Sequence, residues 1–246
     1  MKIAVLIYSL SGGGAERQTT YILSHCVKNN IDVSLILMNS SIKYELPKGL
    51  PIYYLEKSNA EESGFIKALK IPYLAFKYSK MLKELNITHS VSMLTRPNFI
   101  NIISRKLTKH KFKVIINELA FPTLQYSYGD FQSKFNKFMI KSLYKKSDLV
   151  IGNSYGNAKD LIENFSMPQN KTQVVQNPID LTKINAIDVD KSFFDKSKYN
   201  IITLGRLDIG KNHIMLIKAI HKLQNPKLRL YIFGVGNMHN ELEKLI

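Results

Sequence analysis

The sequence predicts an α/β protein: a parallel sheet covered by helices on both faces, followed by the start of a second unit of the same kind. Three observations predict it. Short β-branched runs alternate with helical stretches, the pattern of parallel strands joined by helices. The runs are apolar almost throughout, which suits strands buried on both faces. A polar, charged stretch without a clear period, 183–198, interrupts the alternation, which then restarts.

In chain order, strands are expected at 2–8, 33–38, 52–55, 90–94, 113–117, 149–153 and 173–176, and helices at 15–28, 66–85, 98–108, 131–145 and 155–164. These make a first domain of residues 1–182, with 183–198 as a linker. The second domain, 199–246, reads as strand 199–204, loop 205–211, helix 212–223, strand 227–233, loop 234–237 and helix 238–246. Two β-α units bury little surface and leave a sheet edge open. The expectation is a chain that stops mid-domain.

Composition narrows the classes. The chain has 246 residues, 45% apolar and 22% charged, as in ordinary globular proteins. No apolar run approaches the roughly 18 residues of a membrane-spanning helix. The opening segment carries one Lys and runs into Gly12-Gly13-Gly14 rather than a cleavage site. One cysteine, Cys26, and six scattered histidines give neither a disulfide framework nor metal-ligand spacing. A cytoplasmic protein that needs no metal or other cofactor is expected.

The formal charge is +16, and residues 65–146 hold sixteen Lys/Arg against three acids. Such a field favours an anionic partner, although a solvated lysine-rich surface is the plain alternative. Within 65–83, Phe65, Ile66, Leu69, Tyr73, Leu74, Phe76 and Tyr78 interleave with Lys67, Lys70, Lys77, Lys80 and Lys83, with Pro72 as a break. That is the pattern of a basic amphipathic helix at an anionic membrane surface. No nucleic-acid recognition motif accompanies it.

Chemistry-bearing residues cluster just past the expected strand ends, where open α/β sheets place ligands. Ser11-Gly12-Gly13-Gly14-Ala15-Glu16-Arg17 follows the first strand and opens a helix. Glycines there let backbone N–H groups approach an anion; the alternative is a tight turn with no ligand. Arg17 stands where the dinucleotide fingerprint needs its third glycine, which argues against NAD. Gly205-Arg206-Leu207-Asp208-Ile209-Gly210-Lys211-Asn212 misses the Walker A pattern by Asn212, which lacks the hydroxyl that holds magnesium. Its electrostatics survive: Arg206 can grip phosphate oxygens and Lys211 adds a point charge. Arg96-Pro97-Asn98, Asn117-Glu118, Asn153-Ser154 and Asn177-Pro178 follow other strands. Glu118, the lone acid between Glu84 and Asp130, is a candidate base or acceptor-hydroxyl partner, or else a salt-bridge partner for a lysine. Ser154 can equally be a helix cap and Pro178 a turn former. Asp188-Val189-Asp190 looks like a metal-binding D-x-D but falls in the linker and is set aside.

Together, Gly13-Gly14-Ala15-Glu16-Arg17, Asn153-Ser154, Asn177-Pro178-Ile179-Asp180, Gly205-Arg206-Leu207 with Lys211-Asn212, and Phe233-Gly234-Val235-Gly236 resemble the retaining GT-B glycosyltransferases of family 4. Ile7-Tyr8-Ser9-Leu10, Leu37-Met38-Asn39, Arg96-Pro97-Asn98 and 148–166 look like the bacterial N-acetylgalactosamine transferases that extend polyprenyl-diphosphate-linked glycans.

The resemblance implies two Rossmann-like domains, the second incomplete, with a UDP-sugar donor between them. It implies Arg206 and Lys211 on the diphosphate, with Gly13, Gly14, Gly234 and Gly236 lining the phosphate site. Glu16, Arg96, Asn98, Asn153, Ser154 and Asn177 become acceptor-side candidates, with Glu118 beside the catalytic cations. It further implies a polyprenyl-diphosphate-linked glycan acceptor and a peripheral place on the inner face of the cell membrane. Many relatives carry a histidine near the strand end held here by Asn117-Glu118. The family's E-x7-E segment would lie beyond Ile246, so little or no transfer is expected from residues 1–246 alone. The rival expectations are a non-catalytic half that binds lipid-linked glycan or a partner, a P-loop nucleotide hydrolase, and a basic nucleic-acid-binding domain.

Overall fold

Seven of the expected strands pair into one parallel sheet, each within two residues of its expected bounds. The computed structural model describes residues 1–56, 62–186, 188 and 191–246. They form two units, Met1–Ile179 and Asp180–Ile246. In the first, strands β1 (Lys2–Ile7), β2 (Asp32–Leu37), β3 (Ile52–Tyr54), β4 (His89–Met93), β5 (Lys113–Glu118), β6 (Leu149–Gly152) and β7 (Thr172–Val174) lie in the order β3-β2-β1-β4-β5-β6-β7. Every pairing is parallel, with Val5 opposite Leu35 on one side and Val91 on the other. The order reverses between β1 and β4, and there the loops leave the sheet in opposite directions.

Helices α1 (Gly14–Lys28), α2 (Gly64–Leu69), α3 (Ile71–Glu84), α4 (Thr95–Ser104), α5 (Pro122–Gln125), α6 (Phe131–Leu143) and α7 (Tyr155–Phe165) connect the strands. The sheet is covered on both faces, which accounts for its apolar strands. On one face Val5, Ile7, Leu35 and Leu37 pack against Leu23 and Cys26 of α1. On the other, Leu6, Ile36, Val114 and Ile116 meet Leu74, Tyr78 and Leu82 of α3, Phe99 of α4, Ile140 of α6 and Leu161 of α7.

The helix expected at 66–85 is two helices. Pro72 stands in the first turn of α3, where its missing N–H costs nothing, and α2 ends at the preceding turn. Pro72 marks the break in the sequence, while the apolar period runs through it, which is why one helix was expected over 66–85. Helix α4 is buried on nearly every face and takes its polar side chains inside. Asn101 Oδ1 accepts from Ser90 Oγ at 2.7 Å, and Asn101 Nδ2 donates to the Ser90 carbonyl at 3.1 Å. Tyr78 and Ser90 hydroxyls are 2.7 Å apart. The pairing offsets the cost of burying these groups.

The second unit holds α8 (Leu181–Asn185), β8 (Tyr199–Leu204), α9 (His213–Leu223), β9 (Leu228–Phe233) and α10 (His239–Glu243). β8 and β9 pair in parallel from Tyr199 opposite Leu228 to Leu204 opposite Phe233. Its core is small: Leu207, Ile217, Met238 and Leu242. The stretch 183–198, expected as an interdomain linker, falls within the second unit. Phe193 meets Tyr231 at a tilt and Phe194 meets it edge-on, with ring centroids 5.4 and 5.2 Å away. Residues 187, 189 and 190, including two members of the D-x-D motif, lie outside the described residues.

Candidate functional site

The reversal of strand order puts the β1–α1 and β4–α4 loops side by side at the C-terminal edge of the first sheet. Gly12 adopts φ +118°, a conformation open to glycine, and it redirects the chain into α1. Gly13 is the N-cap of α1 and Gly14 faces open space. The Glu16 side chain folds back so far that a Cβ on Gly13 would overlap its carboxylate. The positive end of α1 is thus already met by the protein's own anion. Tyr44 OH donates to the Gly13 carbonyl at 3.0 Å and fixes the loop from below. Across the reversal, Leu94 sits at φ +75°, a strained conformation for a branched side chain, as the chain turns from β4 into α4.

Behind these loops lies a closed polar network. Glu118, at the end of β5, is buried. Its carboxylate accepts from Tyr144 OH at 2.5 Å, Thr95 Oγ1 at 3.2 Å and the Leu119 N–H at 3.2 Å. Asn98 donates to the Asn117 carbonyl at 2.9 Å and to Tyr144 OH at 3.1 Å, and accepts from Ser92 at 2.8 Å. Tyr126 OH reaches Thr95 at 2.9 Å. Burial pushes Glu118 up to about 7, opposed by the hydrogen bonds from Tyr144 and Thr95. Burial likewise pushes Tyr126 up to about 12.

Further along the same edge, Asn153 donates to the Leu119 carbonyl at 3.1 Å and accepts from Asn157 at 3.1 Å. Ser154 caps α7 by accepting from the Asn157 N–H at 3.1 Å. Arg96 Nε donates to the Lys67 carbonyl at 3.2 Å, and its guanidinium lies 3.6 Å from Glu56. Asn177, past β7, is exposed.

The second unit presents a different strand end. Arg206 and Lys211 both lie on the loop after β8, and the Arg206 side chain is 78% exposed, touching Asp208 at 3.2 Å. The Lys211 stem lies over Gly205. The 3-10 turn Ile209–Lys211 is capped by Asp208, which accepts from the Lys211 N–H at 3.2 Å. A P-loop would aim that N–H at phosphate, so the near-match to Walker A is one of sequence alone. Gly234 and Gly236 have a packing reason to be glycine. A Cβ at Gly234 would overlap the Gly205 carbonyl, and one at Gly236 the Leu207 carbonyl. Their closeness lets Leu207 N–H bond to Val235 O and Met238 N–H to Leu207 O, both at 3.0 Å. A hollow of about 280 Å³, lined by Leu204, Gly205, Arg206, Phe233, Gly234 and Val235, opens at this end of the strands.

A family model described as Glycosyltransferase Family 4 matches residues 12–183, and one described as Glycosyl transferases group 1 matches residues 185–246. The chain belongs to glycosyltransferase family 4. It is 40% identical over 245 residues to the N-acetylgalactosamine-N,N'-diacetylbacillosaminyl-diphospho-undecaprenol 4-alpha-N-acetylgalactosaminyltransferase of Campylobacter jejuni, covering 100% of this chain and 66% of that protein. A second Campylobacter jejuni protein, GalNAc-alpha-(1->4)-GalNAc-alpha-(1->3)-diNAcBac-PP-undecaprenol alpha-1,4-N-acetyl-D-galactosaminyltransferase, is 28% identical over 250 residues, covering 99% of this chain and 64% of it. The chain spans about two thirds of the length of these relatives. Among solved structures, the lipopolysaccharide outer core galactosyltransferase WaaB in its apo form shares the GT-B fold, with TM-score 0.69 and 18% identity over 100% of this chain and 64% of that one.

For this family 4 chain the geometry revises several residue roles. Glu118 is neither exposed to a substrate hydroxyl nor paired with a lysine; hydroxyl and amide donors enclose its carboxylate. Asn98 is fully buried in the same network and does not reach the surface as an acceptor contact. Arg96 and Ser154 are engaged with their own chain, the first by Lys67 and Glu56, the second as a helix cap. Leu94 was not legible as special. A positive φ leaves a signal in sequence when glycine supplies it, as at Gly12, and none when leucine does.

Proposed function

We propose that this chain carries the donor-diphosphate contacts and the acceptor side of a glycosyltransferase that moves N-acetylgalactosamine from a UDP-sugar to a polyprenyl-diphosphate-linked glycan. Transfer retains the anomeric configuration and takes place at the cytoplasmic face of a membrane. The observation that carries the reading is the strand end of the second unit, where Arg206 and Lys211 stand in solvent beside an apolar hollow. Two fixed cations suit a diphosphate, and they stabilise it most as it departs with a full extra charge. The 40% identity to a Campylobacter jejuni transferase supports the choice of sugar and acceptor. No helix among the described residues is long and apolar enough to cross a membrane, so a membrane-embedded acceptor is met from the surface.

In this mechanism the leaving UDP oxygen takes the acceptor proton on the same face of the sugar, and no side chain acts as nucleophile. That fits the enclosure of Glu118, whose part is to hold the ends of β4 and β5 and the start of the 119–123 loop in place. The test is incubation of the intact protein with UDP-N-acetylgalactosamine and a short polyprenyl-diphosphate-linked glycan, with product mass and anomeric configuration read by mass spectrometry and NMR. An α-linked product from the α-linked donor is expected. An inverted product, or no heat of UDP binding by calorimetry, overturns the reading.

A further inference from the structure

We infer that helix α6, together with the α2–α3 pair, forms one bilayer-docking face, and that its occupant is an anionic phospholipid surface. The inference rests on the membrane reading above and adds to it a second contact helix outside 65–83.

Two stripes carry it. On α3, Tyr73, Phe76, Lys80 and Lys83 are exposed at spacings of three, four and three residues. On α6, Phe131, Lys134, Phe138 and Lys141 are exposed at the same spacings. Each set falls on one side of its helix, with aromatic and cationic residues in register. Phe131 and Phe138 are 73% and 66% exposed, and Phe131 stacks on Phe135 at 6.4 Å. A row of such rings on one helix face is costly to leave in water.

Both helices put their inner residues into the same core cluster on one face of the sheet, Leu74, Tyr78 and Leu82 from α3 and Ile140 from α6. Their outer stripes therefore point the same way. Helix α6 meets α2: the Gln132 side chain lies so close to Gly64 that a Cβ there would overlap it. Gln132 adjoins the exposed Phe131 in sequence, and Gly64 adjoins α2 residues of which Phe65, Ile66 and Leu69 are exposed.

The charges suit headgroups rather than an acidic protein groove. Lys70 is neutralised by Glu56 and Glu62 at 2.9 and 2.6 Å, and Lys77 is tied to the Leu55 carbonyl at 2.6 Å. The outward stripes keep Lys80, Lys83, Lys134 and Lys141, set among aromatic rings that an aqueous partner would leave wet and a bilayer interface would bury. Beside Phe138 a hollow of about 320 Å³ is lined by Thr123, Lys137, Phe138, Lys141, Asn164 and Phe165, a mixed polar and aromatic lining with two cations.

The experiment is co-flotation of the intact protein with vesicles of phosphatidylcholine containing a graded fraction of phosphatidylglycerol. The variants are Phe131→Ser with Phe138→Ser, Lys134→Glu with Lys141→Glu, and Phe65→Ser with Leu69→Ser, each checked for an unchanged thermal midpoint. The α6 aromatic pair is expected to weaken binding about tenfold or more, and each α6 lysine about fivefold, with a shallower dependence on phosphatidylglycerol. Parent-like binding by both α6 variants, while the α2 variant loses binding, overturns this inference and leaves the membrane reading standing. A parent protein that ignores phosphatidylglycerol vesicles removes both. Equal, aromatic-dependent binding to soluble polyglutamate overturns the choice of a lipid surface.

Discussion

Glu118 and Asn98 in the first unit and Arg206 and Lys211 in the second stand just past the ends of parallel strands, yet their surroundings are opposite. Glu118 and Asn98 are enclosed, with each polar group answered by a hydroxyl, an amide or a backbone carbonyl. Arg206 reaches into solvent and meets one carboxylate at a rim distance of 3.2 Å. The difference comes from what covers them. In the first unit α4 and α6 close over the strand ends, and their polar residues must pair or leave. In the second, β8, β9 and the helices around them bury a core of Leu207, Ile217, Met238 and Leu242 and leave the Arg206 side chain outside it. The lesson is that position at a strand end marks a residue as a candidate for ligand contact, and burial decides whether it is one.

Breaking the contrast at its solvent side gives the largest expected effect. Arg206→Ala and Lys211→Ala each lower the transfer rate of the intact protein by about 10²–10³-fold while leaving its thermal midpoint nearly unchanged, because neither side chain is part of the second unit's core. Steady-state rates alongside a melting curve check this; losses below about threefold for both remove the cations from the mechanism.

The buried side is probed by pH. An unfolded-chain glutamate titrates near ~4.3, and Glu118 is pushed up to about 7 in the fold. The folded protein therefore keeps a proton that the unfolded chain has released, so this group's contribution to stability falls as pH rises from about 4.3 to about 7 and is level above. The drop is on the order of a few kcal/mol. Glu118→Gln flattens it, as urea denaturation at a series of pH values reports, whereas an unchanged slope places the titration elsewhere.

Steric substitution of the second unit's glycines comes next. Gly236→Ala forces a methyl into the Leu207 carbonyl and costs about 1–3 kcal/mol, visible as a lower urea midpoint. A neutral result means the loop gives way more easily than its hydrogen bonds suggest.

The smallest effect concerns Glu16, whose carboxylate meets the positive end of α1. Glu16→Gln weakens a helix-end interaction of about 0.3–1 kcal/mol and frees the loop for an incoming anion, so pyrophosphate binds the variant more tightly. Isothermal titration with pyrophosphate reads the sign; weaker binding to the variant means that Glu16 assists the ligand rather than excluding it.

These contrasts also show what sequence carries. Strands were legible because β-branched apolar runs such as Ala4–Ile7 and Val33–Leu37 have few other conformations open to them once both faces are buried. The break between α2 and α3 was legible at Pro72, but its consequence, two separate helices, was not, since the apolar spacing continues through Lys70. At the site, Arg206 and Lys211 were legible as cations on a strand–loop–helix unit. The fate of Glu118 was not, because its enclosure depends on Tyr144 and Thr95, residues 26 and 23 positions away. Gly234 and Gly236 entered only through the family motif Phe233-Gly234-Val235-Gly236; the reason the fold gives for glycine there is the neighbouring backbone of Gly205 and Leu207, which no local pattern encodes.

Asp208 gives the second unit's loop a resident counter-ion. One carboxylate oxygen holds the Lys211 amide and the other the Arg206 guanidinium. On the proposed donor role, a diphosphate arriving there would trade places with an anion already tethered to the loop, an exchange rather than a capture. On the same reading the tether would shorten the lifetime of a spent nucleotide, because the displaced carboxylate stays within reach and refills its place without diffusing.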